Sequence, residues 1–177
     1  MNKNLTVAEM EAMKEPTREF LVKLEDNKPG VRFNGFKLRD TDTGEVFHEY
    51  YPQNIYELDY FADHELDYKF PTAILKAKTL GSTLNLVVGN QVVKNVVLAE
   101  RHYIDGKLAA NYSFKFPVFM PNSKNSVEFI YTLPKFEQSV IDRMNKKEPI
   151  FAKSDTFVFV DGKLVVHRRA KYTYWDK

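Results

Sequence analysis

The chain of 177 residues contains no cysteine, so disulfides, thiol nucleophiles and cysteine-ligated metals are excluded, and a reducing compartment fits this composition. No apolar run is long enough to cross a bilayer, and the N-terminal residues contain no apolar segment typical of a secretory signal. We therefore expect a cytoplasmic protein. The formal net charge of +2 is small, so no strong attraction to nucleic acid or to anionic membranes is implied.

Sequence motifs for catalysis are missing as well. There is no Gly-x-Ser-x-Gly elbow, no glycine-rich phosphate loop and no metal-ligand cluster, and the four histidines are scattered at positions 48, 64, 102 and 167. Glu100 and His102 form a Glu-x-His pair that could act as acid and base, but no further catalytic group accompanies it. The sequence therefore predicts a protein that is not an enzyme and that uses no cofactor and no metal.

Aromatic residues, by contrast, are abundant, with 14 Phe and 10 Tyr against a single Trp. Short segments with the alternation of strands follow one another and are separated by turn residues, an arrangement typical of a β-sandwich. The pairs Gly89-Asn90, Asp105-Gly106 and Asp161-Gly162 predict hairpins. We expect one all-β domain over residues 31–177, preceded by a helical or flexible segment over residues 1–30.

Several segments have a more specific interpretation. Residues 6–24 read as helical and exposed, with a break at Pro16, and residues 52–64 read as a mobile loop. In the strand over residues 31–40, a bulge near Gly35 is needed to turn the phenylalanines at 33 and 36 inward. The one inserted helix has an apolar face: Phe136, Val140, Ile141 and Met144. In the last hairpin, one face carries Leu164, Val166, Ala170, Tyr172 and Tyr174.

One strand has an aromatic face that a sandwich core does not require. Its alternation places the following residues on one side: Tyr112, Phe114, Phe116, Val118 and Met120. The strand follows shortly after Glu100 and His102. Aromatic walls with a few polar groups suit an apolar ligand that has one polar end, although solid core is the alternative interpretation of the same pattern.

Five segments occur in an order that is specific when they are taken together. They are FKLRDTDTGEVF at 36–47, LGSTLNLVVG at 80–89, ERHY at 100–103, FMPNSKNSVEFIY at 119–131 and SDTFVFVDGKLVVHRRAKYTYW at 154–175. In these segments the chain resembles the uncoordinated one-hundred-nineteen lipid-binding chaperones, relatives of the prenyl-binding delta subunit of the rod cyclic-nucleotide phosphodiesterase. The ERHY segment and the long C-terminal segment point to the acyl-binding branch of this family.

The resemblance implies an immunoglobulin-like β-sandwich and a carrier without enzymatic activity. Such proteins shield the myristoyl chain of N-myristoylated cargo proteins between their two sheets. They release the cargo when a GTP-loaded ADP-ribosylation-factor-like small GTPase binds, often for delivery to a cilium. The expected protein is a cytoplasmic or ciliary monomer that binds no nucleic acid and does not insert stably into membranes.

The resemblance also implies a cargo-binding site. A tyrosine and a glutamate near the polar end of the cargo correspond to Tyr68 and Glu100, while the apolar walls correspond to Phe33, Phe36, Leu38, Tyr112, Phe114, Phe116 and Tyr172. Leu133 stands where the family has an aromatic wall residue. Pro117 replaces a glycine of the family and cannot donate a sheet hydrogen bond, so we expect it at a sheet edge or bulge.

The polar residues of this set have competing interpretations. Glu100 and His102 lie two apart on one strand, so a solvated face would explain both. The functional hypothesis is that Glu100 accepts hydrogen bonds from backbone amides of the cargo, that Tyr68 supplies a phenol, and that His102 positions Glu100 or lies at the rim. The basic run at 167–169 is expected to be solvated, with contact to acidic cargo or lipid headgroups as the alternative.

Two other functions remain open on the sequence alone. The first is a prenyl carrier with the same fold, which would prefer farnesylated peptide. The second is an interaction module with a solid core that binds proteins through its sheet edges and binds no lipid.

Overall fold

The computed structural model describes residues 5–52 and 64–176. These residues form nine strands, three α-helices and one turn of 3₁₀ helix at Leu24–Asp26. In chain order the elements are α1 Val7–Ala12, β1 Arg32–Asp40, β2 Val46–Tyr50, β3 Leu66–Phe70, α2 Ala73–Lys76, β4 Thr79–Val87, β5 Val93–Ile104, β6 Lys107–Phe119, β7 Lys124–Thr132, α3 Gln138–Lys146, β8 Ile150–Val160 and β9 Lys163–Tyr174.

The strands form two packed sheets. One has four strands in the order β2-β1-β4-β7, and the other has five in the order β3-β9-β8-β5-β6. The pairings are antiparallel except for β3 with β9, which is parallel. Apolar side chains of the two inner faces meet between the sheets, as in other sandwiches. The expected all-β, immunoglobulin-like fold is confirmed.

Two of the three predicted hairpins are confirmed. Asp105 and Gly106 join β5 to β6 with φ values of 51° and 77°, and Asp161 and Gly162 join β8 to β9 with φ values of 49° and 78°. Both central residues of each turn are therefore left-handed, as a two-residue turn between twisted strands requires.

The hairpin predicted at Gly89-Asn90 is wrong. Strand β4 belongs to the four-stranded sheet and β5 to the five-stranded one, so the chain crosses between sheets here. Gly89 serves a different purpose, because its amide donates to the carbonyl of Pro29 and a Cβ at this position would fall 2.9 Å from that oxygen. The glycine is thus explained by close approach of two backbone segments.

The bulge near Gly35 is confirmed. The register of β1 against β4 shifts between Phe33 and Gly35, and both Phe33 and Phe36 consequently contact the core between the sheets. An alternating strand would have turned one of these two rings outward.

Pro117 lies on β6, the edge strand of the five-stranded sheet, as expected for a residue without an amide hydrogen. Its neighbour across the sheet, Asn95, has a φ of 48°, and both strands change face at this point. Val118 and Met120 are therefore exposed and Phe119 is buried instead. The predicted aromatic face is correct from Tyr112 to Phe116 and wrong beyond it.

The predicted face of the last hairpin is also wrong at one end. The register of β8 against β9 shifts between Val158 and Phe159. Leu164 consequently packs on the outer side of the sheet with Met10 and Phe157, whereas Val166 faces the other sheet.

The N-terminal segment covers part of the outer face of the five-stranded sheet. Only Val7–Ala12 is helical, and Met10 and Thr17 are buried, so the exposed helical segment expected over 6–24 is wrong at these positions. The division of the chain at residue 30 stays a prediction.

The basic run at 167–169 is largely buried, with His167 beneath this segment and Arg168 in the interior between the sheets. His167 is 0% exposed and Arg168 6%, so the expected solvated face is wrong here. Thr17 donates its amide and its hydroxyl to Asp155, and the amide of Leu21 donates to Nδ1 of His167. A charge run predicts solvation only while no other segment covers it.

The helices close one end of the sandwich. The inserted helix α3 is confirmed, and its Val140 and Met144 are buried against the core. Helix α2 was missed because four residues are too few for a helical period. The loop expected over 52–64 falls, apart from Pro52 and His64, outside the described residues.

Candidate functional site

A cavity of about 90 Å³ lies between the two sheets. Its walls are apolar at the end closed by the helices, where α2 contributes Ile74 and Leu75 and the segment before α3 contributes Leu133 and Phe136. Strand parity explains the remaining lining, since β1 and β4 turn alternate side chains toward β5, β8 and β9.

A second cavity of about 40 Å³ lies beside the first and is lined by Phe33, Tyr68 and Arg168, among others. Four side chains line both cavities and form the wall between them: Phe36, Glu100, Ser154 and Tyr172. We call this group the dividing wall.

Polar residues cross the inner face of the five-stranded sheet in one row. Tyr112 of β6 pairs with Glu100 of β5, which pairs with Thr156 of β8, which in turn pairs with Arg168 of β9. Glu100, Thr156 and Arg168 all line the second cavity. The sandwich therefore carries a polar belt across its interior.

Glu100 is the carboxylate of this belt, and its side chain is 15% exposed. Within the described residues, its carboxylate oxygen lies 3.5 Å from Nε2 of His102, which is long for a hydrogen bond. A carboxylate can accept several hydrogen bonds, so Glu100 retains capacity for donors of a bound molecule.

The neighbouring phenols are neutral. Burial, and then the charge of Glu100, raises the pKa of Tyr112 to about 12. Burial raises the pKa of Tyr131 well above its ordinary value, with Glu100 again the next cause. The hydroxyl of Tyr112 donates to the carbonyl of Thr132, at 3.3 Å. These groups therefore act as hydrogen-bond donors or acceptors rather than as bases.

Tyr68 belongs to a stack of aromatic rings at the other seam of the sandwich. Its ring stacks on Phe70 at 5.6 Å and on Tyr172 at 5.5 Å, and the ring of His48 meets it edge-on at 5.2 Å. Burial lowers the pKa of His48, so its imidazole is neutral near pH 7. The hydroxyl of Tyr172 lies 2.9 Å from that of Ser154.

The structure brings most of the sequence-predicted site residues to the two cavities. The predicted residues that line the first cavity are Phe36, Leu38, Glu100, His102, Tyr112, Leu133 and Tyr172. The second cavity is lined by Phe33 and Tyr68, and also by Phe36, Glu100 and Tyr172 of the dividing wall. Glu100 faces the interior, so the solvated alternative is wrong for it. Contact of any of these residues with a ligand stays a prediction.

Phe114 and Phe116 line neither cavity. The ring of Phe114 lies 4.0 Å from that of Phe129, and the ring of Phe116 lies 6.1 Å from the same partner. With Tyr112 and Tyr131, whose rings are 4.4 Å apart, they close the seam where the edge strands β6 and β7 face each other. We call this set of rings the aromatic seam.

Sequence reasoning missed several lining residues. Ile74 and Leu75 were missed with α2, and Ser154 and Tyr131 were quoted in matching segments without a role. Tyr131 is two residues after Phe129 on β7 and so shares its inward face, which the sequence could have indicated. No local pattern marks Ser154 as an interior residue.

Two other kinds of site are absent from residues 5–52 and 64–176. No group of three or more His, Asp or Glu residues there is arranged to hold a metal ion. No helix in the same ranges has the length and apolarity to cross a membrane.

Comparisons with known proteins agree with this architecture. The model of the family described as "GMP-PDE, delta subunit" matches residues 25–174. Protein unc-119 homolog B of Danio rerio is 35% identical over 184 residues, which cover 98% of this chain and 75% of that protein. The human protein unc-119 homolog B is 35% identical, and the match covers 89% of this chain and 67% of that protein. Protein unc-119 of Caenorhabditis elegans is 36% identical, and the match covers 89% of this chain and 74% of that protein. The chain therefore belongs to the GMP-PDE delta-subunit family of lipid-binding carriers, as a homologue of the unc-119 proteins.

Proposed function

We propose that this protein carries N-myristoylated proteins, with the acyl chain between the sheets and the first peptide residues beside Glu100 and Tyr68. The observation that carries the proposal is the placement of Glu100, an interior carboxylate at the boundary of two cavities. An acyl chain alone needs no carboxylate, whereas the backbone amides of an attached peptide need an acceptor once they leave water.

The cavities imply an orientation for the cargo. The first cavity is walled by Leu75, Leu80, Phe136 and similar side chains, which suit the acyl chain. The second contains Thr156 and Arg168 and suits the peptide. Glu100 lines both, so it would meet the amide that joins the acyl chain to the first glycine.

Binding requires the interior to expand. Ligand pockets occupy roughly 300–1,000 Å³, whereas the two cavities measure about 90 Å³ and 40 Å³. The dividing wall consists of side chains, and the aromatic seam closes two edge strands that share no backbone hydrogen bonds. These are the parts that would move to admit cargo.

The energetics leave room for this expansion. Burying a 14-carbon chain contributes roughly 10 kcal/mol at about 0.8 kcal/mol per methylene. A bilayer offers the same chain a similar gain, and a single myristoyl group binds membranes only marginally. Extraction therefore depends on the hydrogen bonds to the peptide, which contribute roughly 1.5–3 kcal/mol each when the acceptor is charged.

The test uses Glu100→Gln, which keeps the shape of the side chain and removes its charge. We expect the variant to bind a fluorescent N-myristoylated peptide about tenfold more weakly, because a hydrogen bond to a charged group contributes roughly 1.5–3 kcal/mol. Its affinity for free myristate should change less, since that ligand has no peptide amides.

Glu45→Gln is the matched control, because Glu45 is exposed in the turn before β2. An equal loss of peptide and myristate affinity in Glu100→Gln would contradict the assigned role of the carboxylate. A loss of the same size in Glu45→Gln would show that the effect is not local.

Release is the second half of the proposal. A GTP-loaded ADP-ribosylation-factor-like GTPase would bind the protein and lower its affinity for cargo, in the cytoplasm or at a cilium. Because such coupling is reciprocal, cargo must weaken the GTPase to the same degree. Stopped-flow dissociation of the labelled peptide should accelerate when the GTP-loaded partner is added, and an unchanged rate would contradict this half alone.

A further inference from the structure

The outer face of the five-stranded sheet is divided into two halves. Residues 5–22 cover the half around Phe157 and His167. In the other half the outward residues form rows across β8, β9 and β3, because Phe151 pairs with Thr173, which pairs with Lys69. The next row is Lys153, Lys171 and Asp67.

This second half combines exposed aromatic and basic side chains. Phe151 is 62% exposed and Trp175, which follows β9, is 40% exposed. Lys69 and Lys153 are exposed, and neither forms an ion pair within 4 Å in the described parts of the chain. Lys171 differs, since its Nζ lies 3.1 Å from a carboxylate oxygen of Glu65.

Two more lysines extend the same surface at the helical end. Thr72, immediately before α2, donates its amide and its hydroxyl to Asp176, the residue after Trp175. Lys76 ends the helix that begins after Thr72, and Ile150, three positions after Lys147, pairs with Tyr174, so both of these exposed lysines lie near the C-terminal residues. We call Lys69, Lys76, Lys147, Lys153, Phe151 and Trp175 the basic aromatic face.

A net charge of +2 for the whole chain conceals this grouping. The sequence implied no strong attraction to anionic membranes, yet electrostatic attraction depends on how many cations lie within about one Debye length of each other. The pairing of β3, β9 and β8 collects lysines that are up to 84 positions apart, from Lys69 to Lys153.

We propose that the basic aromatic face docks on anionic lipid bilayers. The lysines would contact lipid phosphates and carboxylates, while Phe151 and Trp175 would enter the boundary between headgroups and acyl chains, where aromatic side chains are favoured. A bilayer accounts for both features together, because an acidic peptide would explain the lysines and leave the exposed phenylalanine unexplained.

The location of the face gives docking a consequence for the interior. Adjacent residues of a strand point to opposite faces of the sheet. Tyr174, next to Trp175, and Phe70, next to Lys69, therefore point inward, and both line the larger of the two cavities. In a docked protein, only the five-stranded sheet would therefore separate that cavity from the lipid. This suits a carrier that takes cargo from membranes, but docking itself does not depend on the proposed function.

The test exploits Trp175, which is the single tryptophan of the chain. We expect its emission to shift to the blue when vesicles of phosphatidylcholine with 30% phosphatidylserine are added, and the protein to float with these vesicles. Vesicles of phosphatidylcholine alone should give neither effect. Raised salt should weaken binding, because exposed charges are screened.

Matched charge reversals locate the surface. Each lysine near an anionic membrane contributes about fivefold in binding, so Lys69→Glu with Lys153→Glu should lower vesicle binding at least about 25-fold. Lys94→Glu with Lys115→Glu changes the net charge equally at exposed positions toward the other end of the same sheet and should have little effect. Phe151→Ser should weaken binding and leave the salt dependence in place.

Four results would overturn the proposal: equal binding to uncharged vesicles, equal loss in both charge-reversal pairs, vesicle binding without a shift of Trp175 emission, or binding to polyglutamate but not to vesicles. The last result would identify an acidic protein as the partner. Affinity for a myristoylated peptide, measured on the same variants without vesicles, reports on the proposed function separately.

Discussion

At the scale of single residues, a side chain's position in the sandwich depends on strand parity and on the few places where parity is broken. Glu100 faces the interior because β5 alternates regularly through it, and Phe114 faces the same way on β6. The two differ in what they meet. Glu100 borders open space, whereas the ring of Phe114 lies 4.0 Å from that of Phe129.

The first residue-scale prediction concerns Phe114. Phe114→Ala should lower the free energy of unfolding by about 2–4 kcal/mol, because the substitution leaves a gap in the aromatic seam. Urea denaturation measures this loss. Val118→Ala on the same strand is the control, since Val118 is 44% exposed and should cost less than about 1 kcal/mol. If Phe114→Ala kept full stability and lost only acyl-peptide binding, Phe114 would have to line the ligand cavity instead of the packed core.

A second residue-scale prediction concerns Asp155. Burial alone would raise the pKa of this carboxyl, but hydrogen bonds from His167 and Thr17 outweigh burial, and the pKa is lowered. A carboxyl with a lowered pKa contributes stability above its unfolded pKa, about 3.9 for an aspartate, and loses that contribution as pH falls through the folded value. Asp155→Asn should therefore be less stable than the parent at pH 7, and the difference should narrow below about pH 4.

Urea midpoints of parent and variant between pH 3 and pH 7 measure this difference. Asp67→Asn, on the same outer face but exposed, is the control variant. A difference between parent and Asp155→Asn that stayed constant down to pH 3 would mean that the pKa of Asp155 is not lowered.

At the scale of elements, the N-terminal segment is attached to the sheet by specific hydrogen bonds. The amide of Leu21 donates to Nδ1 of His167, so Nδ1 is the acceptor, and Nε2 is the nitrogen that faces Asp155, at 3.2 Å. The guanidinium of Arg169 donates to the carbonyl of Thr17 and also contacts Glu65. Since Arg169 lines the second cavity, this segment and the interior share a residue.

This attachment predicts the effect of removing the segment. Deletion of residues 1–22 should destabilise the protein, because Asp155 and His167 lose their partners and the apolar surface around Met10 becomes exposed. We expect a lower urea midpoint and binding of a hydrophobic dye such as ANS. A deletion variant with the midpoint of the parent and no dye binding would show that the segment does not cover the sheet in solution.

Elements held by local chemistry could be predicted from the sequence, and those held by distant contacts could not. The turns at Asp105 and Asp161 follow from two adjacent residues, and the bulge at Gly35 follows from the parity of Phe33 and Phe36. Gly89 resembles a turn glycine locally, yet its role depends on Pro29, some 60 positions away in the chain. The burial of His167 depends likewise on Thr17 and Leu21.

The residues of the candidate site could be predicted from the sequence where strand parity decides their position, and not where a contact with the other sheet decides it. Strand parity and the family resemblance identified Tyr68, Glu100 and Tyr172, which lie at the cavities. They did not separate Tyr112, which lines a cavity, from Phe114, which lies in packed core. That distinction depends on Phe129 of the other sheet, and no pattern along β6 contains it.

At the scale of the whole molecule, two sheets enclose cavities of about 90 Å³ and 40 Å³, so the proposed binding of a myristoyl chain would require the interior to expand. We expect the aromatic seam between β6 and β7 to open when cargo enters. Because the chain has no cysteine, labels can be attached to Ser113→Cys and Ile130→Cys, which point outward on these two strands. The distance between the labels should increase when myristoylated peptide is added.

A pair within one sheet, Ser113→Cys with Lys153→Cys, controls for changes in the labels themselves and should keep its distance. If peptide binds and neither pair changes, the cavity must enlarge elsewhere, for example at the seam of β2 and β3 where His48 meets Tyr68.

The measurement that tests the central claim most directly is fluorescence anisotropy with two labelled peptides, one N-myristoylated on glycine and one C-terminally farnesylated. We predict saturable, tight binding of the myristoylated peptide and much weaker binding of the farnesylated one. Preference for the farnesylated peptide would make the protein a prenyl carrier. Binding of neither would contradict the account, because the two cavities beside Glu100 would then be packing gaps of a solid sandwich.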